Sequence, residues 1–341
     1  MNIYLENGYL NIKKIFDIDV PFIFILGARG IGKTYGVIKT AIENKKIFML
    51  MRRTQTQCDL ISKEQFSPLK SPLSDMGKDF KSVPLAKQCC AIYLKDGDVV
   101  ENVPFAYTAS LSTFANLRGF DGSDVDLLFY DEFIPEKHER ILKSEGEAFL
   151  NCYETVNRNR ELKGSKPLKC ICCSNSNSVD NPIFLELGIV TTVMRMKERG
   201  NMMYINKERG ICVINCENSP ISKQKEETAL YKLAMKDSQF TKMAIGNEFA
   251  SDRPSRIASK PIKEYKIIVK VGELSIYKHK SRSEYYVTTH TSGCPKDVYS
   301  ATDTDLLRFR RKYAYLWIAY IKNLTIFEEY INEILFNKYF N

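Results

Sequence analysis

Phe22-Ile23-Phe24-Ile25-Leu26-Gly27-Ala28-Arg29-Gly30-Ile31-Gly32-Lys33-Thr34 is the stretch on which the reading of this chain turns. Five apolar residues run without a polar break into a glycine-rich loop, and helix-compatible residues follow from Gly32 to about Asn44. An unbroken apolar run suits a strand buried on both faces, so the order is strand, loop, helix. The loop fits G-x-x-x-x-G-K-[ST] at every fixed position, in the strand-to-helix setting the motif requires. Its glycines let backbone N–H groups wrap phosphate oxygens, and the helix N-terminus adds a positive dipole end. Gly27, Ala28, Arg29, Gly30, Ile31, Gly32, Lys33 and Thr34 are therefore expected to hold ATP, with Lys33 at the β and γ phosphates and the Thr34 hydroxyl on Mg2+.

Outward from this loop, Ile47 to Met51 is a second apolar run, ending in Arg52-Arg53. Strand, helix, strand over so short a distance is a βαβ unit and predicts a parallel sheet. The sheet resumes at Leu127 to Tyr130 and at Lys169 to Ser174, which makes at least four parallel strands. Between Gln88 and Ala109 the sequence alternates around Asp96-Gly97 and predicts a hairpin, read as a side excursion from the central sheet.

Leu127-Leu128-Phe129-Tyr130 ends in Asp131-Glu132. Paired with the upstream loop, Asp131 is expected to hold Mg2+ and Glu132 to polarise the attacking water as general base. A second acid directly after the metal-binding one favours hydrolysis over phosphoryl transfer to another molecule. Asn175 or Ser174, at the end of the strand from Lys169, could sense the γ phosphate. A hydrolysing site also needs a cation for charge developing in the transition state, often supplied by a neighbouring subunit. Arg158 and Arg160 are the first candidates and Arg118 the second; Lys137 could assist in trans.

The cysteines at 170, 173, 212 and 216 have spacings resembling zinc ligands, but Cys170, Cys172 and Cys173 fall inside an apolar run, where cysteine serves as a small apolar filler. The three histidines are isolated and expected at the surface. Ten cysteines in 341 residues suit a reducing compartment rather than a disulfide scaffold. The longest apolar run, Tyr313 to Ile321, is far short of the roughly 18 residues that span a bilayer. The opening MNIYLENGYL lacks the pattern of a secretory signal, so the expectation is a protein that acts where it is made, without a membrane partner.

Length predicts two domains. Residues 231–341 carry 19 basic against 12 acidic side chains, a net +7, while residues 1–230 net only +2. The boundaries read as an ATPase domain over 1–217, a linker region over 218–260 and a small α+β domain over 261–341. In the last of these, Tyr265 to Val271, Leu274 to Lys278 and Tyr285 to Thr289 alternate like antiparallel strands, and two helices follow from Leu306. Its positive field suggests a polyanion, most simply nucleic acid.

GARGIGKTYG at 27–36, IFMLMRR ending at Arg52-Arg53, LLFYDEFIPEK at 127–137, TVNRNREL at 155–162 and CICCSNSNSVDNPIF at 170–184 together resemble the encapsidation ATPases of phi29-type podophages. The resemblance covers most of residues 22–185, in order, and thins after 217. It implies an α/β P-loop NTPase of the additional-strand (ASCE) type, a parallel sheet with helices on both faces. It also implies a homo-oligomeric ring, most simply a pentamer, on the portal (connector) vertex of an empty capsid in the infected bacterial host. Such a ring drives double-stranded DNA inward and in some phages uses a structural packaging RNA. Lys33, Thr34, Asp131 and Glu132 take the roles above, and Arg158 with Arg160 supply the trans-acting finger.

LRGF at 117–120 is closer to the large terminase subunits, which keeps Arg118 in view. In those relatives the C-terminal domain is an RNase H-like nuclease. Here its strands carry lysines, and Glu264, Glu273, Asp303 and Asp305 form no convincing set for two-metal cleavage. The expectation is a vestigial RNase H-like fold without nuclease activity, binding nucleic acid. The alternatives are a terminase-type ATPase with an active nuclease, a P-loop nucleotide or small-molecule kinase, and an adaptor that binds nucleotide without turnover.

Overall fold

The computed structural model describes residues 2–117, 119–136, 139–142, 144–175, 179, 181–216, 219–225, 227–233 and 256–340. The chain divides into two compact units, one made of Met1–Leu187 with Arg195–Ala250 and the other of Gly188–Met194 with Ser251–Asn341. Short helices, Pro220–Lys225 and Ala229–Leu233, stand at the beginning of the region expected as a linker, and 234–255 lies outside the described residues. Among the described residues no helix is long and apolar enough to cross a membrane.

The first unit is built on β1 (Phe22–Gly27), β2 (Phe48–Arg52), β3 (Asp79–Ala86), β4 (Cys89–Asp96), β5 (Val99–Ser110), β6 (Leu127–Asp131), β7 (Lys169–Ser174), β8 (Met203–Asn206) and β9 (Ile211–Cys216). They form one sheet in the order β3-β4-β5-β2-β6-β7-β1-β9-β8. Neighbours in the run β5-β2-β6-β7-β1-β9 are parallel. β2, β6 and β9 are buried at every position, as their continuous apolar text demands. β7 lies between the phosphate-loop strand β1 and the acidic strand β6, which is the additional-strand arrangement.

The hairpin around Asp96-Gly97 forms, yet it is no side excursion. β5 is 12 residues long; its first half is an exposed ribbon, and its second half, ending Ala106 to Ser110, is buried beside β2. Pro104 and the Thr and Ser content disguise a central strand, because small residues pack there where bulky ones are expected.

Beneath β1, β6 and β7 lies a group of rings. Phe24 meets Phe133 at 5.6 Å and Phe184 at 5.3 Å, and Tyr130 stacks on Phe149 at 5.9 Å. Phe133 follows the acidic pair directly and is buried, so the core itself anchors the loop that leaves β6.

The second unit contains β10 (Tyr265–Val271), β11 (Leu274–His279), β12 (Tyr285–Thr288), β13 (Asp297–Tyr299) and β14 (Thr325–Phe327), in the order β13-β10-β11-β12-β14. β10, β11 and β12 form the expected antiparallel meander, with β13 parallel to β10 and β14 parallel to β12. β13 thus extends the meander beside β10, and β14 joins the opposite edge. Among the described residues three helices follow β13 rather than the two expected: Asp303–Lys312, Ala314–Ile321 and Tyr330–Phe340. The unbroken text after Leu306 hides their ends, which Tyr313 and the short strand β14 provide. The expectation that isolated histidines lie at the surface holds for His290 and fails for His279, which is buried under the Arg282 guanidinium. His138 lies outside the described residues.

Candidate nucleotide site

Parallel pairing brings three strand ends to one edge. Leu26 is opposite Ser174, and Cys173 is opposite Asp131, so Gly27, Asn175 and the acidic pair emerge side by side at the carboxyl ends of β1, β7 and β6. Open parallel sheets present their ligand crevice at this edge. The loop after β1 turns through Gly30 at φ +69° and Gly32 at φ +89°, where a side chain would be strained. Gly32 is the N-cap of the helix Lys33–Glu43, so the loop's N–H groups and the helix dipole converge.

The Lys33 ammonium is buried and donates to the carbonyl oxygens of Gly27 at 2.6 Å and Ala28 at 2.8 Å, and to Asn175 Oδ1 at 3.3 Å. Burial lowers its pKa, a cost that an anion in the loop offsets. The Thr34 hydroxyl donates to Asp131 Oδ2 at 2.9 Å. A hydroxyl and a buried carboxylate facing each other at the mouth of a phosphate loop are the oxygen donors that Mg2+ takes. The cleft they line, with Arg29, Glu132 and Ser174 on its walls, has a volume of about 470 Å3. These residues fit Mg2+ and a nucleoside triphosphate.

Glu132 has a left-handed backbone, φ +57°, and a side chain 56% exposed. Partial desolvation still pushes its carboxyl above the usual glutamate value, against the pull of the Arg52 guanidinium. That makes it a better base than a free glutamate.

Arg52 is the residue that motif reading missed. Met51 is opposite Tyr130, so the next residue on β2 stands beside Asp131. Its guanidinium reaches Asp131 Oδ2 at 2.9 Å through Nη2 and Glu132 through Nη1, while its Nε is buried without a hydrogen-bond partner. The Arg-Arg ending of the strand is visible in the sequence; that β2 lies beside β6 is not. Arg53 points the other way and forks onto buried Glu145, at 2.7 and 3.0 Å, with Glu139 at 3.2 Å. It fixes the segment that follows the acidic pair. Lys225 is a second omission: its Nζ donates to the Arg29 carbonyl oxygen.

Arg158 and Arg160 are not brought to this cleft within the chain. They follow the helix Glu145–Asn157 and precede β7, at the sheet edge opposite the phosphate loop. Arg158 pairs with Asp121 at 2.9 Å, and Arg160 donates to the Val125 carbonyl oxygen at 2.6 Å. Arg118 and Lys137 lie outside the described residues. The zinc-like cysteine spacing comes to nothing among the described residues: Cys170, Cys173, Cys212 and Cys216 are free and buried, and no group of three His, Cys, Asp or Glu side chains could hold a metal ion.

The same holds for the acids of the second unit. Asp305 caps Ser300, Glu264 stands 3.8 Å from Arg282, and Asp297 pairs with Lys312 at 2.8 Å. They do not converge.

Comparison with known proteins agrees with this architecture. The DNA packaging protein of Bacillus phage phi29 is 25% identical over 307 residues, 87% of this chain and 84% of that protein. That of Bacillus phage B103 is 25% identical over 294 residues, 83% and 82% of the two chains. The phi29 viral genome packaging motor assembly has the same fold, with a TM-score of 0.67 at 20% identity over 97% of both chains. The Phi-28 gp11 DNA packaging motor aligns with a TM-score of 0.61 at 21% identity, over 93% of this chain and 92% of that one. The family model of the podovirus DNA encapsidation protein (Gp16) matches residues 6–316, and the chain belongs to that family of phage DNA-packaging motor proteins.

Proposed function

We propose that this chain hydrolyses ATP in the cleft at the ends of β1, β6 and β7 and couples that hydrolysis to movement of double-stranded DNA into a preformed capsid. The observation that carries it is the convergence of Lys33, Thr34, Asp131 and Glu132 at one sheet edge, in a chain of the encapsidation family. The phosphate loop, Gly27 to Thr34, would hold the triphosphate, with Asn175 beside Lys33; Thr34 and Asp131 would hold Mg2+. Magnesium bound there neutralises charge on the phosphates. Glu132 accepts the proton of the attacking water, and Arg52 fixes the carboxylates of Glu132 and Asp131 relative to each other.

The finger would come from a neighbouring copy. Arg158 and Arg160 lie across the sheet from their own cleft, which suits supply in trans; Arg118 is the other candidate. This reading goes with a homo-oligomeric ring, most simply a pentamer, at the capsid portal of the infected host, with a structural RNA as a further partner where the phage uses one. The second unit would grip nucleic acid without cutting it. Supporting this, Lys266 and Lys278 are exposed and directly opposite each other on β10 and β11, a like-charge pairing that phosphate would relieve. Lys260, Lys263, Lys280 and Arg282 extend the same positive text.

ATP turnover with and without double-stranded DNA, at two salt concentrations, tests the reading beside Lys33→Ala and Glu132→Gln. DNA-stimulated turnover that fades with salt and is lost in both variants is expected. DNA-independent transfer of phosphate to an acceptor would favour a kinase, and Mg2+- or Mn2+-dependent plasmid cutting would favour an active terminase-type nuclease.

A further inference from the structure

Lys33 comes from the phosphate loop, and Arg52 from β2. A further cation reaches the loop from a segment no motif contains. β9 is parallel to β1 with Cys216 opposite Gly27, so the chain leaving β9 emerges at the edge where the phosphate loop begins. The short helix Pro220–Lys225 follows. Its start packs under the N-terminal turn, where a Cβ added to Gly8 would meet the Ile221 nitrogen at 3.0 Å. At its end, Lys225 lays its ammonium on the loop: Nζ donates to the Arg29 carbonyl oxygen, and a Cβ added to Gly30 would lie 2.5 Å from that nitrogen.

Lys225 is half-buried, and among the described residues no carboxylate pairs with it. An ammonium that loses water without gaining a carboxylate is costly unless an anion arrives. The loop residues it touches, Arg29 and Gly30, line the cleft.

We propose that Lys225 is a further polyphosphate-binding residue of the nucleotide site, a cation that the segment after β9 contributes from outside the phosphate-loop motif. The inference rests on the nucleotide reading above. On occupancy the ammonium exchanges part of its bond to the Arg29 carbonyl for phosphate oxygens, so residues 219–225 are tied to the nucleotide.

Competition of ATP, ADP and AMP against a fluorescent ATP analogue, on the full chain with Mg2+, tests this. Lys225→Ala should weaken ATP and ADP about tenfold and AMP far less, since the lost contact is one charge-assisted hydrogen bond to polyphosphate. Lys225→Arg should recover most of the affinity, and Lys225→Gln should behave as the alanine variant. The unliganded melting temperatures of all three should match the wild type. Equal ATP affinity in wild type and Lys225→Ala, with Lys33→Ala weakened, would overturn this role alone. An equal loss for all three nucleotides would overturn it too, in favour of packing. A wild type that binds none of them would overturn the nucleotide reading and this role together.

Discussion

In the nine-stranded sheet, Asp131 and Glu132 sit at one strand end and share a single guanidinium whose side chain is 10% exposed. In the second unit, Asp297 on β13, Asp305 on the helix Asp303–Lys312 and Glu264 before β10 each meet a different neighbour: Lys312, Ser300 and Arg282. The first arrangement holds two negative charges together, one buried and one exposed, around a shared cation. The second spreads charge across a surface, where each pair is worth little and none forms a metal cage. On the reading proposed above, the hydrolytic chemistry is placed at the first sheet and a polyanion at the positive surface of the second.

The largest effect that would break this contrast is on turnover. Glu132→Gln should lower kcat by about 10^2–10^4 while nucleotide binding persists, read as ATPase rate beside equilibrium binding. Turnover that survives the change removes the catalytic role from the acidic pair. Next comes Arg53→Ala, which strands the buried Glu145 carboxylate; a loss of about 3–5 kcal/mol in denaturant unfolding is expected. A neutral result would mean that charges are no more tightly committed in the first sheet than in the second.

A smaller effect concerns pH. Because the Glu132 carboxyl titrates above the usual glutamate value, it takes up its proton earlier as pH falls, and turnover should drop about tenfold per pH unit below that point. A profile falling only in the ordinary carboxylate range, about 4.3, would assign the shielding no catalytic meaning. Lys266→Ala sharpens the other side of the comparison. It should reduce the salt slope of DNA binding by about one while slightly raising the melting temperature, since it removes one of two opposed lysines. The smallest effect is none: wild type and Asp305→Ala should both leave plasmid DNA uncut in Mg2+ or Mn2+.

Much of the first sheet was legible. β1, β2, β6 and β7 are continuous apolar runs, and the helix Lys33–Glu43 begins and ends where its Gly32 and Asn44 flanks suggest. β5 reads only as half of a hairpin because Thr108, Ala109 and Ser110 give no bulky apolar run, although all three are fully buried. In β9 the cysteines at 212 and 216, whose spacing resembles that of ligands, belong to a buried strand beside β1. The candidate site residues that the sequence names are those inside a local motif. Arg52 and Lys225, whose contacts depend on which strand lies beside which, belong to no such motif.

By itself the sequence determined the glycine-rich loop after β1 and the acids at the end of β6, because each is a local pattern of residue types. Tertiary structure alone decided that β7 separates β1 from β6, that Arg52 clamps the acidic pair, and that Arg158 and Arg160 stand across the sheet from the cleft. Strand order is set by long-range pairing and burial, and neither is encoded in spacing along the chain.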